Sequence, residues 1–384
     1  MISAARLAWL QLRRQKVRLA VALAGVAFAV VLMFMQFGFR DALFRSAVNV
    51  HQRLDADLVL VHPHYTIIAL PIPIPRSRLY QALAFDGVES VTPLYCSLGR
   101  WKNPEDGSER NALVIGVDPA VHVLDVPGLE SQRGFIRYPN AVLWDELSRP
   151  EFGPVASMFR ADREVVTELA KHQVTVKGLV QLGVSFGIDA TVITSDLNFL
   201  RIFPFRDPGA ISAGLVRLRA GADAGAVRAA LVAALPRDVD VLTKAEYMER
   251  EVGYWASATP IGYVFSFGVV MGLVVGSIIV YQILFTDISD HLAEYATLKA
   301  MGYANRFLAG VVLMEAAILA IAGFVPGLAL GRWLYGLTET ATMLPMRVSA
   351  ERGGLVLVLT VVMCWVSGLA AMRKLRAADP ADIF

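Results

Sequence analysis

The chain has 384 residues, of which 55% are apolar and only 18% are charged, and its formal net charge is +2. A soluble domain averages roughly 45–50% apolar residues, and here the excess lies in a few blocks, which indicates a membrane protein. The small net charge, without one large basic patch, argues against a protein that binds nucleic acid.

Four apolar stretches are long enough to cross a bilayer, because a helix needs about 20 mostly apolar residues to do so. We predict transmembrane helices over residues 17–39, 261–285, 307–332 and 355–372. A cleavable signal peptide is the alternative for the first stretch, but its apolar region would be shorter and would end in small residues. This stretch ends in the bulky segment 34–37, with the sequence FMQF. We therefore interpret it as a retained anchor.

The short flanks of the spans predict their orientation, because Lys and Arg are enriched on the cytoplasmic side. Basic residues occur in the predicted amphipathic segment 1–16 and in the tail 373–384. We predict a multi-pass protein of the bacterial inner (plasma) membrane with both termini cytoplasmic. Loop 286–306 is then cytoplasmic, whereas residues 40–260 and the short turn 333–354 are periplasmic. The basic residues at the outer flanks are Arg6, Arg13, Arg14, Lys16, Arg18, Arg373, Lys374 and Arg376.

Residues 40–260 alternate between strand-like and helix-like patterns, which predicts a large extracytoplasmic α+β domain between the first two spans. Asp223 is the predicted N-cap of a helix over 224–235, and Thr243 is the predicted cap of a helix that leads towards the membrane. The middle, about 118–207, contains more turn signals and predicts an inserted subdomain. The predicted strands cover 58–61, 88–94, 113–117, 174–180, 190–194, 214–218 and 239–242, and a further short helix covers 76–84.

The sequence contains none of the motifs G-x-x-x-x-G-K-[ST], H-E-x-x-H, C-x-x-C or G-x-S-x-G, which mark common nucleotide-binding, metal, redox and hydrolytic sites. His62 and His64 could share one face of a strand as metal ligands. Without a nearby Cys or acidic cluster, an exposed polar loop is the favoured interpretation. We predict no catalytic site and no metal site on this chain, so any energy source resides on another polypeptide.

Glycines recur every four residues in two of the spans, which places each set along one helix face and allows close helix packing in lipid. The pattern is compatible with packing inside the chain and with packing across a dimer. Pro326 in the third span predicts a kink. The two sets are Gly268, Gly272 and Gly276 in the second span, and Gly323, Gly327 and Gly331 in the third.

Glu315 is an acidic residue well inside the third predicted span. A carboxylate in that environment is costly, so it needs either a partner or a cavity, unless it lies near enough to the interface to reach water. A role in coupling and simple access to water are both compatible with the sequence.

The loop 286–306 predicts a short amphipathic helix, with acids early, a base late and a glycine C-cap. Its apolar face could lie on lipid headgroups or dock into a cytoplasmic partner and transmit force. The candidate docking residues are Asp290, Leu292, Glu294, Tyr295, Leu298, Lys299, Met301 and Gly302.

This loop resembles that of MacB/FtsX-type ABC permeases, in which a Glu and a short apolar run ending in Gly precede a Glu in the next span. Glu294, the run 298–302 and Glu315 occupy those positions. The start LAWLQLRRQKVR, the segment VIGVDP at 114–119 and the end RKLRAADPADIF are also similar to this family. Within the family, the chain looks closest to the DevC-like permeases of envelope exporters.

The resemblance implies a homodimer with a separate ABC-type ATPase, which would hold ATP and Mg²⁺, whereas this chain would hold no cofactor. It further implies a porter-like outer domain, a periplasmic membrane-fusion protein as adaptor and an outer-membrane channel beyond the adaptor. Such a permease would act by mechanical coupling, and its cargo would not pass through the membrane spans. Two alternatives stay open: an FtsX-like regulator that activates a cell-wall hydrolase, and a membrane sensor without an ATPase.

Overall fold

The computed structural model describes residues 16–377, with side chains as far as residue 372. Residues 1–15 of the predicted N-terminal segment, and the side chains of the predicted tail 373–384, lie outside this description. The helices in chain order are α1 (Lys16–Ala47), α2 (Asn49–Arg53), α3 (Ser77–Leu83), α4 (Leu129–Gln132), α5 (Val155–Arg160), α6 (Asp196–Ile202), α7 (Ala224–Ala234), α8 (Lys244–Gly253), α9 (Pro260–Asp290), α10 (Leu292–Ala300), α11 (Asn305–Thr342) and α12 (Ala350–Ala377).

The strands in chain order are β1 (Leu58–Val61), β2 (Ile74–Pro75), β3 (Val88–Lys102), β4 (Glu109–Val117), β5 (Ala141–Asp145), β6 (Val166–Leu169), β7 (His172–Val180), β8 (Thr191–Ser195), β9 (Ala210–Ile211), β10 (Ala213–Leu218) and β11 (Asp240–Thr243). The chain divides into two compact units. The first contains residues up to 42 and from 260 onward, and the second contains residues 43–259.

The first unit is a helical membrane bundle. Within the described residues, α1, α9, α11 and the described part of α12 are the helices long and apolar enough to cross a membrane. This confirms the predicted fold class of four membrane helices with a large α+β domain between the first two.

The predicted turn 333–354 is wrong over most of its length. Helix α11 continues for 38 residues to Thr342, and α12 begins at Ala350. A helix of this length exceeds the hydrocarbon thickness, so its last turns continue beyond the apolar stretch that the sequence pattern detects. Thr340 and Thr342 donate hydrogen bonds to carbonyls one turn earlier, at 3.0 and 2.7 Å.

The second unit contains a nine-stranded sheet in the order β11-β1-β10-β3-β4-β8-β5-β7-β6. Strands β11, β1, β10 and the first half of β3 are antiparallel neighbours. With α3 after β1 and α7 after β10, they form a split β-α-β arrangement. Successive side chains of β1 point to opposite faces of the sheet, so Leu58 and Leu60 enter one apolar core and Val59 and Val61 enter the other.

The β-rich middle of the domain begins earlier than the predicted boundary at 118. Strand β3 is a single strand of 15 residues, and its second half pairs with β4 from Tyr95 onward. Strand β6 pairs back to β3 at Trp101 and Leu169, so β3, β4, β8, β5, β7 and β6 close on themselves. The boundary is hidden in the sequence because one uninterrupted strand belongs to both parts.

The helix caps of the second unit follow the predicted signals. Asp223 accepts hydrogen bonds from the amides of Gly225 and Ala226 at the start of α7. Thr243 and Glu246 form a reciprocal capping box at the start of α8, which satisfies amides that have no partner inside a helix. His62 and His64 follow the end of β1 in a turn, where the amide of His64 donates to His62 Nδ1 at 3.1 Å.

Candidate coupling element and its packing

The loop between α9 and α11 contains the predicted short helix, α10. It ends at Ala300, and Gly302 follows with φ of +90°. This left-handed conformation favours glycine, and the amides of Gly302 and Tyr303 donate to the carbonyls of Lys299 and Leu298 at 3.0 and 3.1 Å. The predicted glycine C-cap is therefore confirmed.

The structure corrects which face of α10 is available to a partner. Tyr295 is only 1% exposed and Ala296 is buried beside it, so the Tyr295 side chain does not lie on the surface where the docking prediction placed it. Leu292, Leu298 and Lys299 are half-buried. Helix α10 buries its apolar face against other residues of the membrane unit. Burial within the same chain does not depend on the presence of a partner protein. The exposed stripe instead consists of Ala293, Glu294, Thr297, Ala300 and Met301.

Charged side chains join α1 to the end of α9 that leads into α10. Arg18 forms an ion pair with Asp290 at 2.6 Å and lies 3.8 Å from Asp287. The ring of His291, between α9 and α10, lies 3.0 Å from the carbonyl oxygen of Asp287 and 3.6 Å from its carboxylate. Asp290 was predicted to bind a cytoplasmic partner, but in the structure its carboxylate is paired with Arg18 of α1.

The glycine faces of α9 and α11 both pack against α1, inside the chain. A Cβ added to Gly323 or Gly327 would lie 2.6 or 2.7 Å from the Cβ of Val26 or Val30. Next to this face of α1, a Cβ at Gly276 would lie 2.7 Å from Ala29 and 2.4 Å from Met363 Sδ of α12. Small residues allow this approach of backbones in a membrane.

The remaining glycines of the two sets also lie beside α1, but they differ in how much room they leave for an added Cβ atom. A Cβ at Gly268 would lie 2.3 Å from the amide carbon of Gln36, whereas Gly272 and Gly331 have van der Waals room next to Leu32 and Phe34. Helix α11 runs through Pro326 without ending. The sequence alone left open whether these faces pack inside the chain or across a dimer, and the contacts place all six glycines beside residues of the same unit.

A second polar junction lies at the opposite end of the bundle. Arg352 of α12, only 9% exposed, is ion-paired with Asp41 of α1. It also donates to Tyr335 Oη at 3.4 Å and to the carbonyl of Arg347 at 2.9 Å. Tyr335 of α11 donates to the carbonyl of Phe34. Helix α1 is thus held by charged groups near both of its membrane ends, with glycine contacts between them.

Glu315 lies on α11 and is 0% exposed. Neither of its carboxylate oxygens has a hydrogen-bond partner among the described residues. Access to water at the interface, one of the two interpretations of the sequence, is therefore wrong for this conformation.

A buried polar network lies in the second unit, where the chain enters and leaves the α+β domain. Glu251 of α8 accepts hydrogen bonds from Tyr65 Oη at 2.7 Å, the Ile68 amide at 2.9 Å and Trp255 Nε1 at 3.2 Å. His51 of α2 lies 3.0 Å from the same Tyr65 hydroxyl. Burial raises the pKa of the Tyr65 phenol well above 10, and the phenol of Tyr247 beside it adds to the shift.

Asp145, at the end of β5, is a second buried carboxylate of this unit. Removal from water raises its pKa from 3.8 to about 6. Its oxygens accept from the backbone amides of Leu182, Gly183 and Leu147 at 3.0, 2.9 and 3.2 Å. These hydrogen bonds oppose the shift and fix the chain after β7 against the end of β5.

Sequence reasoning missed Arg18, Asp41, Asp287 and Arg352 as a set that holds the bundle together. The available signal was position, since each lies within a few residues of the end of an apolar stretch. Position in the sequence does not show which of these charged residues form ion pairs, because pairing depends on how the helices are arranged. The described residues contain no group of three or more His, Cys, Asp or Glu side chains placed to hold a metal ion.

Two family models match the chain. One, described as MacB-like periplasmic core domain, matches residues 19–234, and the other, described as FtsX-like permease C-terminal, matches residues 266–380. Together they include most of the α+β domain and most of each of the four spans. A search of curated proteins finds no match.

Solved structures of outer domains are also similar, each over about half of this chain. The periplasmic region of MacB from Actinobacillus actinomycetemcomitans is 11% identical, with a TM-score of 0.36, over 51% of this chain and 92% of that one. The extracellular domain of the noncanonical ABC-type transporter YknZ from Gram-positive bacteria is 12% identical, with a TM-score of 0.33, over 49% and 99%. A domain of a putative permease from Porphyromonas gingivalis is 14% identical, with a TM-score of 0.29, over 50% and 89%.

The family assignment rests on the sequence models, one of which spans more than half of the chain. Permeases of this type are the transmembrane components of ABC systems, in which the ATPase activity lies on a partner. The chain is a multi-pass membrane protein, and it belongs to the MacB/FtsX-type family of ABC transporter permeases.

Proposed function

We propose that this chain is the permease of an export complex in which a separate cytoplasmic ATPase moves α10 and the spans transmit this movement to the periplasmic domain. The packing of α1 carries the proposal. Helix α1 is one continuous helix from Lys16 to Ala47, and it is paired with the end of α9 next to α10 through Arg18. A displacement of α10 therefore acts on a helix that leads directly into the domain.

The partners of the complex are inferred from the family. The ATPase holds ATP and Mg²⁺, and the domain binds a membrane-fusion protein that reaches an outer-membrane channel, as in the DevC-like branch. The match of residues 19–234 to a MacB-like core domain supports a place in an ABC system, and we prefer export to regulation because the outer domain is large and has a porter-like order of elements. Gentle purification of the tagged chain from its native membrane tests this. Recovery of an ABC ATPase with a fusion protein supports export, an ATPase with a cell-wall hydrolase supports regulation, and the absence of an ATPase contradicts both.

The exposed stripe of α10 is the surface proposed to bind the ATPase. Met301 is 63% exposed, four residues after the exposed Thr297. The exposed stripe therefore offers an apolar side chain just after the end of α10 and an acid, Glu294, in its first turn. Met301→Asp is expected to abolish co-purification of the ATPase while leaving insertion intact. Phe205→Asp is a matched control, because Phe205 is 75% exposed in the other unit. Equal ATPase recovery from both variants would exclude this surface.

The proposed homodimer would use the outer face of α9. In the apolar window of this helix 17% of residues are buried, against 39–44% in the other spans. Six of the exposed apolar side chains of α9 are spaced by alternating three- and four-residue steps, as in a helix–helix seam. They are Val264, Phe267, Met271, Val274, Ile278 and Tyr281.

A cysteine in this seam tests the dimer, because both native cysteines are buried. Oxidation of Val274→Cys in membranes should give a cross-linked pair. Trp365→Cys on α12, where the side chain is 46% exposed, is the control and should stay monomeric. Cross-linking of the α12 variant alone would show that the dimer contact is formed by α12 and not by α9.

The proposed orientation places α10 in the cytoplasm of a bacterial cell, with both termini on the same side. Met301→Cys should react with a membrane-impermeant maleimide only after the inner membrane is permeabilised. Phe205→Cys in the domain should react in intact spheroplasts. The reverse pattern would invert the topology and remove the basis for ATPase binding.

A further inference from the structure

The inner half of the membrane bundle contains a carboxyl group that no part of the coupling proposal uses. Glu315 lies ten residues after the start of α11, which corresponds to about 15 Å along the helix axis. Its side chain is 0% exposed, and both oxygens lack a hydrogen-bond partner among the described residues. A buried polar group without a hydrogen-bond partner is rare in folded proteins, and a carboxyl group in such a place is favoured in its neutral, protonated form.

The charged neighbour that acts on Glu315 is another acid, Asp287 of α9. Asp287 is 5% exposed, and its Oδ2 atom also has no hydrogen-bond partner. Asp287 and Glu315 lie on α9 and α11, the helices that flank α10, and both carboxyl groups are buried. Ionisation of one buried carboxyl group disfavours ionisation of the other.

The surrounding charges do not neutralise Glu315. Arg18 of α1 is already divided between Asp290 and Asp287. The other groups that act on Asp287 are His291 and the acids Asp290 and Glu294. On α12, the ionisable side chains within 350–372 are Glu351, Arg352 and Cys364, and Arg352 is paired with Asp41. No cation among the described residues pairs with Glu315.

We propose that Glu315 is a proton-binding site of the membrane unit. Its carboxylate takes one proton from a hydronium ion: one O–H bond forms on the carboxyl group, one O–H bond of the hydronium ion breaks, and water is released. The resulting neutral acid is the form that fits this buried position. Loss of the proton would place two like charges between α9 and α11. The charge on Glu315, and with it the repulsion between α9 and α11, therefore depends on pH. The two helices that flank α10 would move apart when the proton is lost.

Infrared spectroscopy of the purified full-length chain in lipid nanodiscs at neutral pH tests the proposal directly. The wild type should show the carbonyl stretch of a protonated carboxylic acid, with the downshift expected in D₂O. Glu315→Gln should lose this band. Glu339→Gln is the matched control, because Glu339 is an exposed acid of the same helix, and it should retain the band. A band unchanged in Glu315→Gln would overturn the proposal.

Thermal unfolding provides a readout for variants that give no spectrum. If Glu315 is neutral, then Gln and Met at this position preserve the absence of charge, and the unfolding midpoint should be unchanged or higher. A fall of the midpoint in both variants, or failure of both to fold, would overturn the proposal. That outcome would mean that the site requires an ionised carboxylate.

Discussion

Gly327 of α11 and Val30 of α1 are packed so closely that a methyl group added to the glycine would lie 2.7 Å from the valine Cβ. The same Cβ would lie 3.0 Å from the carbonyl oxygen of Ala27, so backbone as well as side chain closes the space. This contact lies between the two polar junctions of α1. It fixes the distance between the helix that enters the domain and the helix that follows α10.

Gly327→Ala is expected to destabilise the bundle by about 1–3 kcal/mol, the usual range for overpacking a well-packed interior. The free energy of unfolding in detergent measures the effect. Gly336→Ala is the control on the same helix, since nothing lies within 4 Å of its added Cβ, and it should be neutral or slightly stabilising. Val30→Ala should relieve only part of the strain, because the Ala27 carbonyl stays in place.

Arg352→Gln should lower stability by about 1–3 kcal/mol, because it removes the ion pair with Asp41 and the hydrogen bond to the Tyr335 hydroxyl. Arg332→Gln is the control, since Arg332 is exposed on α11. Equal unfolding midpoints for the two variants would show that the junction contributes nothing measurable to the bundle.

Tyr295→Asp should destabilise the chain, because it places a charge in a position that is 1% exposed and where an unpaired charge is costly. Met301→Asp, at an exposed position, should leave the unfolding midpoint unchanged. The two residues are six positions apart on the same segment, so the comparison separates a packing role from a docking role. A stable Tyr295→Asp protein would contradict the buried placement.

The stability of the chain should decrease as the pH rises from about 4 to about 6 through Asp145. Its pKa is raised to about 6 in the fold, so in this window the folded state keeps a proton that the unfolded chain has already released. A shift of this size corresponds to about 3 kcal/mol, present below the window and lost above it. The free energy of unfolding as a function of pH measures this contribution.

Asp145→Asn should flatten that part of the pH profile, because the amide cannot ionise and its oxygen still accepts a hydrogen bond. Asp162→Asn is the control, since Asp162 is exposed and has φ of +54°, a conformation that Asn adopts readily. If the slope persisted in Asp145→Asn and disappeared in Asp162→Asn, the pH dependence would come from Asp162, and the prediction for Asp145 would be wrong.

Local patterns were sufficient for most of the elements. The four spans follow from apolar length, β1 is found at the predicted residues 58–61, and the Asp223 and Thr243 caps lie where the sequence indicates. Each of these signals is contained within a few neighbouring residues, since a span, a strand or a cap is decided by short-range hydrogen bonding and by the solvent that one segment faces.

The apolar blocks and the local patterns were enough to predict a four-span membrane protein with an outer α+β domain, and the family pattern around Glu294, Gly302 and Glu315 was visible in the amino-acid order. Which surfaces are covered by packing became known from the folded arrangement. Tyr295 is buried, the glycine faces close on α1, and Arg18 and Arg352 find their acids across the bundle. The physical reason is that burial and charge pairing depend on contacts between residues far apart in the chain, and periodicity within one helix cannot specify its neighbour.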